Sequence, residues 1–201
     1  MDNKEKQLHD LAEIKQMMER SSRFLSLSGW SGISAGVLAL LGALAAYRFM
    51  QTTSGSALKT FLVADAISIL ILALTFAVYF SWRKAKKQGV ALWTPVTKRL
   101  LLNMAIPLLT GGIYSIVLLM QEQTHFIAGT TLIFYGLALV NAGRFINREA
   151  VILGISEIIL GIAATIWYVS GLWIWALGFG LFHIVYGISL YHKYDRKRSN
   201  E

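Results

Sequence analysis

Two ionisable residues stand inside long apolar stretches: Glu157 in Ile155-Ser156-Glu157-Ile158-Ile159 and His183 in Phe182-His183-Ile184-Val185. A carboxyl group and an imidazole at one depth in a low-dielectric medium are suited to take up or pass a proton, or to bind a small polar ligand. Holding a charge at the centre of a membrane helix costs roughly 2.5 kcal/mol or more, so each such residue needs a reason. Two reasons fit. One is a polar intramembrane site built on Glu157 and His183. The other is a neutral Glu157 hydrogen-bonded to His183 or to a nearby carbonyl, joining two helices with about 1 kcal/mol. Pro107, followed by Thr110, Gly111 and Gly112, is expected to interrupt the third apolar stretch at a comparable depth and to free backbone carbonyls there. Asn141 and Asn103 lie nearer one end of their stretches. Asp65 lies toward the opposite end of its own, where Lys59 or water would neutralise it, and reads first as a structural or interfacial carboxylate.

The elements that must position these residues are membrane spans. A hydrocarbon layer about 30 Å thick needs roughly 20 apolar residues of helix to cross it. Six such stretches occupy residues 28–47, 61–82, 100–120, 126–143, 150–169 and 172–191. The chain has 201 residues, 55% of them hydrophobic, and a mean hydropathy of +0.54. The expected fold is therefore an all-α integral membrane protein, with residues 28–192 as a six-helix bundle between an N-terminal segment (1–27) and a basic tail (193–201). The links 121–125 and 170–171 are too short for anything but tight antiparallel turns, so spans three and four, and five and six, are expected as hairpins. With spans one and two they make three antiparallel hairpins. Residues 51–56 read as the longest loop on that side, and 83–89 as a solvated basic link. Thr94-Pro95 reads as an N-cap followed by proline in the first turn. At 1.5 Å per residue, Glu157 lies roughly 11 Å and His183 roughly 13 Å inward from the same side, so a hairpin of spans five and six brings them to one depth.

Lysines and arginines fall on one side of the expected layout. The segments sharing the side of the termini hold 17 of them, and the opposite segments hold only Arg48 and Lys59. The positive-inside rule then places both termini of a multi-pass chain in the cytoplasm. The net charge of +8 is thereby explained by topology and anionic lipid, and a nucleic-acid partner is not expected. With no cysteine there are no disulfides and no thiolate metal sites. The charged first 25 residues are not expected to be a cleavable signal peptide. Trp30, Trp82 and Trp93 fall at one membrane boundary and Trp167, Trp173 and Trp175 at the other, as aromatic belts do. Residues 2–24 place Leu8, Leu11, Ile14 and Met18 at a helical spacing among charges. Such a helix lies on the membrane surface, or docks a cytoplasmic protein partner or a second copy of the chain.

A repeat runs through the spans. Gly32-Ile33-Ser34-Ala35-Gly36-Val37-Leu38 matches Gly112-Ile113-Tyr114-Ser115-Ile116-Val117-Leu118 and Gly154-Ile155-Ser156-Glu157-Ile158-Ile159-Leu160. Gly136, Val140 and Gly143 have the spacing of Gly180, Ile184 and Gly187. Three copies of a hairpin around an axis along the membrane normal account for this pattern. The glycines suit close packing of helices within the chain, with Gly32-xxx-Gly36 as an alternative dimer face. The three-hairpin layout, the short links and the glycine style of residues 150–192 resemble HdeD-type proteins, small six-helix bacterial inner-membrane proteins associated with acid and stress resistance. The resemblance implies architecture and setting and carries over no catalytic residues; the charged N-terminal helix departs from it.

Motifs of hydrolases, metalloenzymes and phosphate-binding loops are missing from the sequence. His9, His125, His183 and His192 are too scattered for one metal site, and no cofactor is expected. Two functions fit what remains. The first is a non-enzymatic regulatory or stress-response protein acting through its cytoplasmic segments. The second is a small channel or proton-coupled transporter using Glu157 and His183.

Overall fold

The structure, a computed structural model, describes Gln7 and residues 28–195. The expected amphipathic helix with Leu8, Leu11, Ile14 and Met18, and the tail beyond residue 195, lie outside the described residues. Six long helices account for nearly all the rest: α1 (Gly29–Thr52), α2 (Gly55–Lys87), α3 (Pro95–Met120), α4 (Thr124–Ala142), α5 (Arg148–Ile166) and α6 (Tyr168–Lys193). There is no strand among the described residues. All six are long and apolar enough to cross a membrane, and they mark a multi-pass membrane protein.

Helix boundaries follow local chemistry, with two departures from expectation. The loop expected at 51–56 shrinks to Thr53 and Ser54, both extended, because α1 and α2 continue to their edges. The basic link expected at 83–89 is largely the last turns of α2. Lys, Arg and Ala are good helix formers, and Lys84, Lys86 and Lys87 complement the negative end of the helix dipole. Gly89, at φ +65°, then ends the helix, with Val90 N–H donating to the Ala85 carbonyl at 3.1 Å and Gly89 N–H to Lys86 at 3.2 Å. The α3 start is as expected: Thr94 and Thr97 cap each other reciprocally, and Pro95 occupies the first turn.

Pro107 does not interrupt α3, which runs unbroken for 26 residues. Proline removes only its own N–H, and Thr110 Oγ donates to the Ile106 carbonyl at 2.8 Å one turn away. Across the bundle end, Glu122 adopts φ +61° to close the turn after α3, its N–H bonding Leu119 O and that of Gln123 bonding Leu118 O. Asn147 caps α5 by accepting from the Ala150 N–H at 2.8 Å. The sixth helix is irregular, widening to a π-helical stretch at Ala176–Phe182.

Two glycine seams join the helices. Along α1 and α6, a Cβ on Gly36 would lie 2.5 Å from the Gly180 carbonyl oxygen, and one on Gly32 would lie 2.9 Å from Gly187 Cα. Along α4 and α5, a Cβ on Gly136 would lie 2.5 Å from the Gly154 oxygen, and one on Gly161 would lie 2.8 Å from the Gly129 oxygen. The Gly32/Gly36 pair is thus used inside the chain. The second helix packs on α1 and the third on α4, as outer members of the bundle. None of the most apolar part of α2 is buried, against 39% for α4. Gly112 of α3, the repeat counterpart of Gly32 and Gly154, meets nothing within 4 Å.

Candidate functional site

The central helices place a carboxyl group in a fully enclosed position. Ala150, Leu153, Gly154, Glu157, Gly161 and Ala164 form the buried stripe of α5, a spacing of three and four that turns each toward its neighbours. Glu157 therefore points into the bundle, and it is 0% exposed. On α6 the buried face carries Gly178, His183 and Gly187. Glu157 Oε1 lies 3.5 Å from His183 Nδ1. The two residues that the sequence places at one depth do meet.

The imidazole is held on both nitrogens. His183 Nδ1 lies 3.1 Å from the Gly178 carbonyl oxygen, and Nε2 lies 2.8 Å from the Tyr135 hydroxyl on α4. A neutral imidazole with its proton on Nδ1 satisfies both: it donates to Gly178 and accepts from the tyrosine O–H. Tyr135 and His183 rings stand 5.3 Å apart, and Phe179 packs against both, at 5.0 and 5.7 Å. Neither oxygen of Glu157 has a hydrogen-bond partner among the described residues. A buried polar group in that condition costs on the order of 1–3 kcal/mol, which normally removes it unless it has work to do.

Gly178 is what makes room. A Cβ there would press on the Glu157 carboxyl group and stand 2.7 Å from Leu132 Cδ2. It sits within the π-helical stretch, whose wider turn sets the Gly178 carbonyl opposite the His183 ring five residues on. Single π-helical turns in membrane and soluble helices are frequent at functional sites.

The other sequence candidates are elsewhere. Asp65 is half-buried on the α1 side of α2, near Gly42. Asn141 is exposed on α4, and Pro107 is buried on α3. No hydrogen bond or ion pair joins these three to Glu157. Asn103 donates to the Arg99 carbonyl of its own helix at 2.8 Å. Sequence reasoning missed Tyr135. The available signal was a phenolic hydroxyl midway along a membrane span, which needs a partner when buried.

No protein-family model matches the chain, and neither a curated protein nor a solved structure matches it. The site is therefore read from its own chemistry.

Proposed function

We propose that the chain is a small proton-coupled channel or transporter in which Glu157 is the proton-binding group. The observation that carries this reading is the fully buried carboxyl group with no hydrogen-bond partner, 3.5 Å from a histidine. In the closed arrangement Glu157 carries its proton, because an unpaired carboxylate in so dry a place is costly. When water reaches the site, the proton passes from the carboxyl oxygen to that water and leaves a carboxylate. The Nδ1–H of His183 then turns from the Gly178 carbonyl to Glu157 Oε1 and stabilises the charge. Tyr135 holds the ring through Nε2 in both states.

Proton flux into proteoliposomes under an imposed pH gradient tests this. Wild-type flux above the leak of empty vesicles, abolished by Glu157→Gln, is the expected result. Equal background leakage in wild type and variant would overturn it.

A second reading follows from the closure of the same site. A dry, packed centre also suits a non-enzymatic regulatory or stress-response protein, in which Glu157 serves only to join helices. In that case the working parts are the segment with Leu11 and Met18 and the basic end of α2, acting on a cytoplasmic partner or a second copy. Charged substitutions at Leu11 and Met18 would then abolish partner binding. Both readings share three hairpins around a common axis, termini in the cytoplasm of a bacterial inner membrane, a surface-lying N-terminal helix and the resemblance to HdeD-type proteins. The asymmetry of basic residues and the glycine repeat support that setting.

A further inference from the structure

At the end of the bundle away from the termini, a groove of about 650 Å³ opens beside α1 and the start of α6. Arg48, Gln51, Leu44, Tyr47 and Trp173 are among the residues that line it, the rings of Tyr47 and Trp173 with centroids 5.1 Å apart. Among the described residues, Arg48 and Lys59 are the arginine and lysine on this side of the spans. Lys59 is matched by Glu122 at 2.7 Å. Arg48 forms no ion pair among the described residues.

A guanidinium without a counterion, beside a donor amide and above exposed apolar surface, has a specific complement. It is an anion carrying an apolar chain. The carbonyl end of α1 supplies a partial negative charge of about half an elementary charge, which leaves much of the arginine's charge unmatched. The fork of N–H donors fits a phosphate in two-point contact. Leu44, half-exposed one turn deeper than Arg48, directs the rest of the ligand toward the hydrocarbon layer. Tyr47 and Trp173 have the amphipathic rings that settle at headgroup depth. We infer that this groove binds the headgroup of an anionic phospholipid, with Arg48 on the phosphate and an acyl chain along Leu44. The site is independent of the proton chemistry at Glu157.

Tryptophan quenching by lipids with brominated acyl chains tests it. The protein is reconstituted in phosphatidylcholine, and brominated phosphatidylglycerol or brominated phosphatidylcholine is titrated in. The signal of Trp173 is obtained as the difference between wild type and Trp173→Phe. Trp173 is expected to be half-quenched at about fivefold less of the anionic lipid than of the zwitterionic one, the factor that one interfacial cation supplies. Arg48→Gln should bring that ratio to one, while Arg48→Lys should keep it above one and Lys59→Gln should leave it unchanged. A ratio of one in wild type, or a preference that survives Arg48→Gln, overturns the inference. Loss of the preference on adding excess inorganic phosphate would also overturn it, by assigning the site to a free anion.

Discussion

At residue scale, the centre of the bundle sets stability against chemistry. Glu157 is buried without a hydrogen-bond partner, whereas His183 has a partner on each nitrogen. Replacing the carboxyl by an apolar side chain of similar length removes an unsatisfied group. Glu157→Met should therefore raise thermal stability in detergent, by about 1–3 kcal/mol, while abolishing proton binding. Tyr135→Phe acts in the opposite direction. It strips His183 Nε2 of its donor and should lower stability by a similar amount in the same unfolding assay. Glu157 and His183 were legible in the sequence because charge inside a span is rare. Their contact was not, since it depends on how α5 and α6 are rotated about their own axes, and the stripe of Leu153, Gly154, Gly161 and Ala164 settles that only once packed.

At the scale of elements, the glycines separate into two kinds. Gly136 lies in a seam where an added Cβ meets a backbone oxygen, which cannot yield as a side chain can. Gly136→Ala should therefore push α4 from α5 and cost roughly 1–3 kcal/mol in thermal unfolding. Gly112 has open space around it, so Gly112→Ala should be neutral or stabilising by up to about 1 kcal/mol in the same assay. A sequence repeat that makes the two look alike cannot distinguish them. The ion pair between α2 and the turn after α3 adds a pH dependence. The hydrogen bond from Lys59, with its charge, holds the Glu122 carboxyl below its usual 4.5. A carboxyl whose folded value is depressed contributes stability above the unfolded value and loses it as pH falls through the folded one. Wild type and Lys59→Gln should thus differ slightly at neutral pH, and the difference should fade as pH drops below 4.5. Thermal unfolding of both across that range checks it.

For the whole molecule, the residues just past α6 tie the first two helices together. Asp195 accepts from Gly29 N–H at 3.0 Å and Ser28 Oγ at 3.4 Å, and pairs with Lys84 at 2.7 Å. It thereby supplies the negative charge that the start of α1 favours and that α1 lacks in its own first turn. Both side chains of the pair are largely buried, so removing one charge is costly. Asp195→Asn is expected to lower stability by about 3 kcal/mol and to speed hydrogen exchange at the Gly29 amide. Lys193 pairs with Glu149 close by, which binds the same end of α6 to α5. A stretch that reads in sequence as the start of a basic tail thus holds an acidic group that, together with Glu149, closes this end of the bundle.

The sequence by itself determined the solvent and the elements. Runs of apolar residues long enough to span a bilayer and Thr94-Pro95 at a helix start are local signals, and local backbone chemistry obeys them. Only the tertiary structure decided which glycines carry a seam, that Pro107 stays within an unbroken helix, and that Tyr135 completes the site at His183. These depend on the rotation and neighbours of each helix. In a membrane, where every face of a span is apolar, hydrophobic periodicity carries little of that information, and close packing supplies it instead.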